Sequence, residues 1–153
     1  MKTKSAVLYD AHHPLIIEEL DLQDPNENEV LVKVSGAGVC HSDFHYIDGH
    51  RAIPAKPIVM GHEGSGIIEK IGNNVKSVSP GDKIIFSMDA MCGFCRNCTN
   101  GLPTLCTTYG RKVTMPDGTT RFSLNNNNVY QSNGVGTYSE KTVVPADTVV
   151  KVS

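Results

Sequence analysis

The apolar positions of this chain fall into short runs separated by turn residues, a pattern typical of β-structure. Six runs rich in β-branched or apolar residues predict strands at Ser5–Tyr9, Leu15–Glu19, Val30–Val34, Gly66–Ile71, Lys83–Phe86 and Lys141–Val144. Proline, glycine and asparagine lie between most of these runs, where they fix φ or tolerate the left-handed backbone of a tight turn. The regular spacing of short strands predicts a mainly β fold, a closed or partly closed barrel.

Two further segments depart from the strand pattern. Ser42–Ile47 predicts a short helix, because the Ser42 hydroxyl can cap a turn and Asp43 is favourable near a helix N-terminus. Cys40 would then lie at the helix entrance. Asn125–Asn128 lies between two strand-like pieces and predicts a hairpin loop. The chain has no internal repeat and no linker, so its 153 residues are expected to form one unit.

The charge pattern argues against nucleic acid and membranes as partners. The 14 basic and 16 acidic residues are mixed along the chain and leave a net charge of −2, too weak a field to attract a polyanion. No apolar run approaches the roughly 20 residues that span a bilayer, and the N-terminus does not resemble a secretory leader. We therefore expect a soluble, cytoplasmic protein.

Four of the five cysteines are spaced like metal ligands. Cys92, Cys95, Cys98 and Cys106 form the pattern C-x2-C-x2-C-x7-C. Because disulfides are improbable in a reducing compartment, clustered thiols indicate a metal. Zinc with four sulfur ligands would stabilise this lobe, residues 90–108, as a closed structural site. A 4Fe–4S cluster is the alternative, although the ferredoxin pattern places its fourth cysteine after three residues and before a proline.

Two further segments are rich in side chains that can coordinate a metal or move a proton. The first, around the fifth cysteine, contains Cys40, His41, Ser42, Asp43 and His45, and the second contains His62 and Glu63. Each piece alone is weak evidence, because a lone cysteine is usually a small buried apolar residue. Ser42 could be only a helix cap, and His45 only a surface histidine. His12, His13 and His50 are interpreted as surface residues.

Taken together, these motifs resemble the N-terminal part of zinc-dependent alcohol dehydrogenases of the medium-chain family. The resemblance rests on Gly-Val-Cys-His-Ser-Asp at 38–43, Gly-His-Glu-Gly-Ser-Gly at 61–66, Pro-Gly-Asp at 80–82 and the four-cysteine lobe. It runs essentially end to end. It implies a GroES-like β-barrel that carries a catalytic and a structural zinc, followed in the family by a Rossmann domain that binds NAD or NADP. Met115–Ser123 is similar to the branch that acts on primary alcohols and formaldehyde adducts.

For the metal, the resemblance implies that Cys40 and His62 are ligands of the catalytic zinc. Glu63 would be a close neighbour able to swing in as a transient ligand. Asp43 would be the carboxylate that orients His62, a partner that metal-bound histidines usually have.

For the proton and the cofactor, the resemblance implies three further roles. Ser42 would receive the proton of the alcohol, and His45 would pass it to solvent. His41 would approach the pyrophosphate of the cofactor.

Two features of the family are not found in this sequence. The family places a third protein ligand of the catalytic zinc just beyond residue 153, and two ligands alone should bind the ion weakly. No Gly-x-Gly-x-x-Gly follows a strand and opens a helix, so no dinucleotide-binding fold is expected. Residues 1–153 are therefore interpreted as the GroES-like catalytic domain without its Rossmann domain, inactive in isolation.

The sequence thus predicts part of an enzyme that interconverts primary alcohols and aldehydes by hydride transfer to NAD or NADP. Its substrate would be a small alcohol or aldehyde, and the full-length parent a homo-oligomer. Polyol dehydrogenase and thiol-dependent formaldehyde dehydrogenase are alternatives within this class. A zinc-stabilised GroES-like module without enzymatic activity is the alternative from another class.

Overall fold

The computed structural model describes residues 1–109 and 112–152. Its strands are β1 (Lys2–Leu8), β2 (Ile16–Leu22), β3 (Glu29–Gly38), β4 (Ile58–Val59), β5 (Glu63–Ile71), β6 (Lys83–Phe86), β7 (Phe122–Leu124), β8 (Asn127–Gln131), β9 (Lys141–Pro145) and β10 (Val149–Lys151). Its helices are α1 (His41–Ile47), α2 (Arg96–Thr99) and the 3-10 turns Pro103–Leu105, Ser132–Gly134 and Ala146–Thr148. None of the helices in this part of the chain is long and apolar enough to cross a membrane.

The strands form two sheets. β1, β2, β7, β8 and β4 close into a barrel, in which β4 pairs antiparallel with β1 and parallel with β8. The second sheet has the order β10-β6-β5-β3-β9, and all its neighbours are antiparallel. The prediction of a mainly β fold with a barrel is confirmed.

β3 supplies side chains to two hydrophobic cores. Val30 and Val32 pack into the core of the five-stranded sheet, whereas Leu31 between them packs into the barrel. Successive side chains of a strand point to opposite faces, so a strand buried on both faces has a continuous apolar run. β9 repeats the arrangement, with Val144 in one core and Val143 in the other.

The observed strand bounds differ from the predicted ones mainly at the strand ends. Only Lys83–Phe86 has the predicted bounds, whereas the strand predicted at Val30–Val34 continues to Gly38. No bounds were predicted for β4, β7, β8 and β10, and β7 and β8 were expected only as strand-like pieces on either side of the asparagine run. β4, β7 and β10 have two or three residues each, too few to show a period.

The asparagine run forms the expected hairpin, with a shorter loop than predicted. Asn125 and Asn126 alone connect β7 to β8, and their φ angles are 50° and 65°. This left-handed pair suits the twist of a two-residue hairpin. Asn127 and Asn128 are already part of β8.

The prediction that Ser42 caps the short helix is wrong. The helix begins at His41, and Cys40 is the N-cap residue. The backbone N–H of Cys40 donates to Asp43 Oδ2 at 3.3 Å, and the backbone N–H of Asp43 donates to the Cys40 carbonyl at 3.0 Å. These two bonds place the helix start before Ser42, whose hydroxyl lies in the first turn.

The pairing of β3 with β5 brings the two polar segments of the sequence together. Gly38 at the end of β3 lies opposite Glu63 at the start of β5. Cys40 follows β3 by two residues, and His62 immediately precedes β5. The two segments therefore meet at the same end of the sheet.

Candidate functional site

A thiol, an imidazole and a carboxylate converge where β3 and β5 meet. Cys40, His62 and Glu63 each offer a ligand atom, and these atoms lie within 4.8 Å of one another. His62 is only 4% exposed, whereas Cys40 is half-buried and Glu63 exposed. Sulfur, imidazole nitrogen and carboxylate oxygen are the ligand types that zinc takes in proteins. The donor set fits this metal.

Asp43 lies behind His62 and is almost fully buried, at 1% exposure. Its Oδ1 lies 3.3 Å from His62 Nδ1, which leaves Nε2 of the ring as the atom available to a metal. The two groups are close enough to pair but are not aligned as a hydrogen bond, so both atoms lack a hydrogen-bond partner. Buried polar atoms without partners cost free energy. A metal at Nε2 would hold the ring in place so that Nδ1–H can donate to Asp43 Oδ1, and the orphaned pair is therefore a second indication of a metal site.

Tyr138 fixes the other oxygen of the Asp43 carboxylate. Its hydroxyl donates to Asp43 Oδ2 at 3.0 Å and also lies 3.2 Å from the Gly38 carbonyl. Burial and the neighbouring Asp43 charge both raise the pKa of Tyr138, so its hydroxyl remains a donor at neutral pH. Sequence reasoning missed this residue, because it is 95 positions from Asp43 and only the tertiary fold connects them.

Gly61, the residue before His62, allows the Tyr138 ring to lie close to the backbone. Its φ is +87°, and a Cβ at this position would lie 2.3 Å from Tyr138 Cδ1. Both the backbone conformation and the space therefore require glycine. A larger residue would displace either the Tyr138 ring or His62.

The residues expected to move a proton lie on α1. The half-buried Ser42 has its hydroxyl oxygen 3.5 Å from Cys40 Sγ, next to the three converging groups. His45 is exposed, and its ring packs edge-on against His41 with 4.8 Å between centroids. Within residues 1–109 and 112–152, no hydrogen bond joins Ser42 to His45, so a proton passing between them needs an intermediate hydroxyl or water.

The four remaining thiols form a separate group. Cys92, Cys95, Cys98 and Cys106 each offer a sulfur atom within 4.8 Å of the others. Cys95 Sγ lies 3.5 Å from Cys98 Sγ, and Cys92 Sγ lies 3.9 Å from Cys98 Sγ. Zinc–sulfur bonds of about 2.3 Å give a tetrahedron with an edge of about 3.8 Å, whereas a disulfide needs about 2 Å. The spacing fits a four-sulfur metal site.

Backbone N–H groups point at these sulfur atoms. Cys95 N–H donates to Cys92 Sγ at 3.3 Å, and Tyr109 N–H donates to Cys106 Sγ at 3.4 Å. Backbone N–H groups of Cys98 and Thr107 lower the pKa of the Cys95 thiol to about 5. Burial among the neighbouring thiols raises the pKa of Cys98 to about 11. A bound cation would remove this conflict by stabilising all four thiolates together.

Comparison with known proteins relates this architecture to a large family. Residues 26–153 match the family of alcohol dehydrogenase GroES-like domains. One relative, an NDMA-dependent alcohol dehydrogenase of Amycolatopsis methanolica, is 45% identical over 99% of this chain. Another, an S-(hydroxymethyl)glutathione dehydrogenase of Escherichia coli O1:K1, is 41% identical over the whole chain. The chain spans 41% and 42% of the length of these two relatives.

Solved structures show the same fold. An alcohol dehydrogenase zinc-binding domain protein from Burkholderia ambifaria superimposes with a TM-score of 0.89 at 27% identity. The benzyl alcohol dehydrogenase of Acinetobacter calcoaceticus superimposes with a TM-score of 0.87 at 30% identity. Both comparisons cover all of this chain, and 42% and 41% of those chains respectively.

Proposed function

Since this chain belongs to the family of alcohol dehydrogenase GroES-like domains, we propose that it is the zinc-carrying part of an alcohol dehydrogenase. The reaction is oxidation of a primary alcohol to an aldehyde, or its reverse, with hydride transfer to NAD or NADP. One observation carries the proposal: Cys40, His62 and Glu63 converge within 4.8 Å beside the Ser42 hydroxyl. Relatives named as alcohol dehydrogenases support the reaction class.

In this proposal Cys40 and His62 hold the catalytic zinc, and Glu63 is a third group that can reach it. When bound, zinc supplies a Lewis acid that lowers the pKa of the alcohol hydroxyl. Asp43 acts through His62, because a carboxylate behind Nδ1 keeps that nitrogen protonated and directs Nε2 forward. A third protein ligand of this zinc would come from the part of the parent protein beyond residue 153.

Ser42 and His45 provide the proton path. The proximity of Ser42 to the proposed zinc ligand Cys40, with 3.5 Å between its hydroxyl oxygen and Cys40 Sγ, supports a role as acceptor of the alcohol proton. His45 is exposed on the same helix and delivers that proton to solvent through an intermediate hydroxyl or water. His41, also exposed on α1, contacts the cofactor pyrophosphate.

The four-cysteine lobe binds a second, structural zinc. Cys92, Cys95, Cys98 and Cys106 leave no open coordination position at a tetrahedral ion, so this metal stabilises the lobe and takes no part in the reaction. The hydride acceptor binds to a nucleotide-binding domain outside residues 1–153, in a cytoplasmic homo-oligomer.

A thiol adduct of formaldehyde is the second candidate substrate. The 41% identical S-(hydroxymethyl)glutathione dehydrogenase favours it. Polyol oxidation is less favoured, because the polyol branch often lacks the four-cysteine lobe, which is intact in this chain. A substrate panel of primary alcohols, polyols and S-hydroxymethyl thiols, assayed on the full-length protein, separates these three.

Zinc content per chain tests the proposal directly. In protein passed through a mild chelator, we expect about one zinc, held by the lobe. With added zinc, a second ion should bind more weakly, and His62→Ala should abolish only that second binding. Cys98→Ser should remove the tightly held ion instead. A His62→Ala variant that still binds as many zinc ions as the original protein would refute the assignment of the catalytic centre.

Activity separates an enzyme from a non-enzymatic module. In the full-length protein, His62→Ala should lose hydride transfer between NAD or NADP and a primary alcohol. His13→Ala, at an exposed histidine that lies outside both clusters described above, is the control. Full activity of the His62→Ala variant would favour a scaffold role.

A further inference from the structure

A third cluster of metal-binding side chains lies at the end of α1. His45, Asp48 and His50 each offer a ligand atom, and these atoms lie within 4.8 Å of one another. The two histidines are exposed, and Asp48 is half-buried. The cluster shares no side chain with the Cys40 centre or with the four-cysteine lobe.

Backbone hydrogen bonds already hold this segment in shape. Asp48 N–H donates to the Phe44 carbonyl at 2.8 Å and ends the helix, and Arg51 N–H donates to the His45 carbonyl at 2.7 Å. Between them, Gly49 has a φ of +76°, which folds the chain back so that His50 comes beside the helix. Binding here therefore needs little further ordering of the backbone.

The side chains of the cluster are also paired with one another. Asp48 Oδ1 lies 2.8 Å from His50 Nδ1 and accepts a hydrogen bond from the His50 backbone N–H at 3.2 Å. The His45 and His50 rings meet edge-on with 5.9 Å between centroids. The His41 ring also packs edge-on against His45, with 4.8 Å between centroids.

We propose that His45, Asp48 and His50 form a surface site for a divalent transition metal such as Zn²⁺, Ni²⁺ or Cu²⁺. Two imidazoles and one carboxylate match the ligand preference of these ions, whereas Mg²⁺ and Ca²⁺ prefer oxygen ligands alone. Because all three side chains reach solvent, water would complete the coordination of a bound ion. The absence of thiolate ligands makes this site weaker than the four-cysteine lobe.

The site has a consequence that rests on the proposed function. His45 is the residue proposed to release the proton to solvent, and a histidine that binds a metal cannot also accept a proton. Metal bound at His45, Asp48 and His50 therefore inhibits alcohol oxidation at concentrations that leave both other zinc centres filled.

Calorimetric titration with Ni²⁺ of protein whose other centres are zinc-loaded tests the site without using activity. We expect one Ni²⁺ per chain and unchanged zinc content. Since loss of a group that merely orients a ligand already weakens metal binding by about 10-fold or more, His50→Gln should weaken Ni²⁺ binding at least as much. His13→Gln, an exposed histidine outside the cluster, should bind like the original protein. Equal Ni²⁺ affinity in His50→Gln and the original protein would overturn the site.

The inhibitory role is tested separately in the full-length protein. Excess Zn²⁺ should slow turnover of the original protein and of His13→Gln, but not of His50→Gln, whose basal activity should be normal. If Ni²⁺ binding depends on His50 while inhibition does not, the site stands and its regulatory role is overturned. Failure of the proposed function would instead appear as absent turnover in all three proteins.

Discussion

Asp43 connects three separate parts of the candidate site through one carboxylate. It accepts hydrogen bonds from the Cys40 backbone and the Tyr138 hydroxyl, and it faces His62 Nδ1. A carboxylate that orients a metal-binding histidine raises the basicity of the ring and fixes its tautomer. The negative charge of Asp43 is therefore as important to the site as its shape.

Asp43→Asn tests this role, because the substitution keeps the size of the side chain and removes the charge. We expect zinc affinity at the Cys40 centre to fall about 10–100-fold, as for other residues that orient a metal ligand. Zinc in the four-cysteine lobe should be retained. Competition with a chelator of known affinity measures both. Asp24→Asn, at an exposed carboxylate paired with Lys70, is the matched control, and equal affinities in the two variants would contradict the role.

The sequence indicated this site through Cys40, Asp43, His62 and Glu63, because each belongs to a short motif whose residue types bind metal. Tyr138 carries no such signal: a single tyrosine near the C-terminus is equally consistent with ordinary packing. Its role depends on a contact across 95 positions of the sequence and on a glycine at position 61 that makes room for its ring. Long-range contacts of this kind are not encoded in local spacing.

At the scale of elements, a buried ion pair joins the two sheets. Arg121, just before β7 of the barrel, donates to both carboxylate oxygens of Glu29, the first residue of β3. The Arg121 side chain is 2% exposed, and Nη2 also donates to Asp117 Oδ2 at 2.8 Å. The sequence-based interpretation of Met115–Ser123 was by resemblance alone and assigned no contact to Arg121.

Breaking this pair should be costly, because it leaves a buried carboxylate without its partner. We expect Arg121→Met to lower the free energy of unfolding by about 3–5 kcal/mol. Replacing both partners, as Glu29→Met with Arg121→Met, should recover most of that loss, since an apolar pair has no desolvation penalty. Urea denaturation of the two variants measures the difference. A double variant as unstable as the single one would show that the pair contributes more than charge compensation.

Element types were more predictable than element ends. The central parts of β1, β2, β3, β5, β6 and β9 follow from runs rich in β-branched or apolar residues with turn residues between them. β4 has only two residues, so its sequence shows no alternation of apolar and polar positions. It forms because Ile58 and Val59 pair with both β1 and β8 and close the barrel. The start of α1 was misplaced because the Asp43 side chain, and not Ser42, satisfies the helix entrance.

At the scale of the whole molecule, the four-cysteine lobe differs from the two cores. Its segment contains only one turn of α2 and a 3-10 turn. Several of its apolar side chains are exposed, among them Phe94 at 74% and Leu105 at 60%. Little apolar burial holds the lobe together, so a metal bound by the four thiols would supply most of its stability.

Zinc removal should therefore unfold the lobe and leave the sheets intact. In protein treated with a strong chelator, we expect backbone amides between residues 92 and 106 to exchange with solvent rapidly, because their protection depends on the ion. Amides of β3 and β5 should keep the protection they have in the zinc-bound protein. Hydrogen–deuterium exchange measured by mass spectrometry resolves the two regions. Rapid exchange throughout both sheets would mean that the lobe is integral to the fold.

The burial of β3 on both of its faces determines how the two sheets unfold. Alternate side chains of this strand belong to different cores. If either core unfolds, one face of β3 becomes exposed and the other core loses its support. Two cores that share a strand in this way are expected to unfold as one cooperative unit, so calorimetry should record a single transition for the two sheets. Cys40 lies two residues beyond the end of that strand, so we expect the candidate centre to lose its geometry in the same transition.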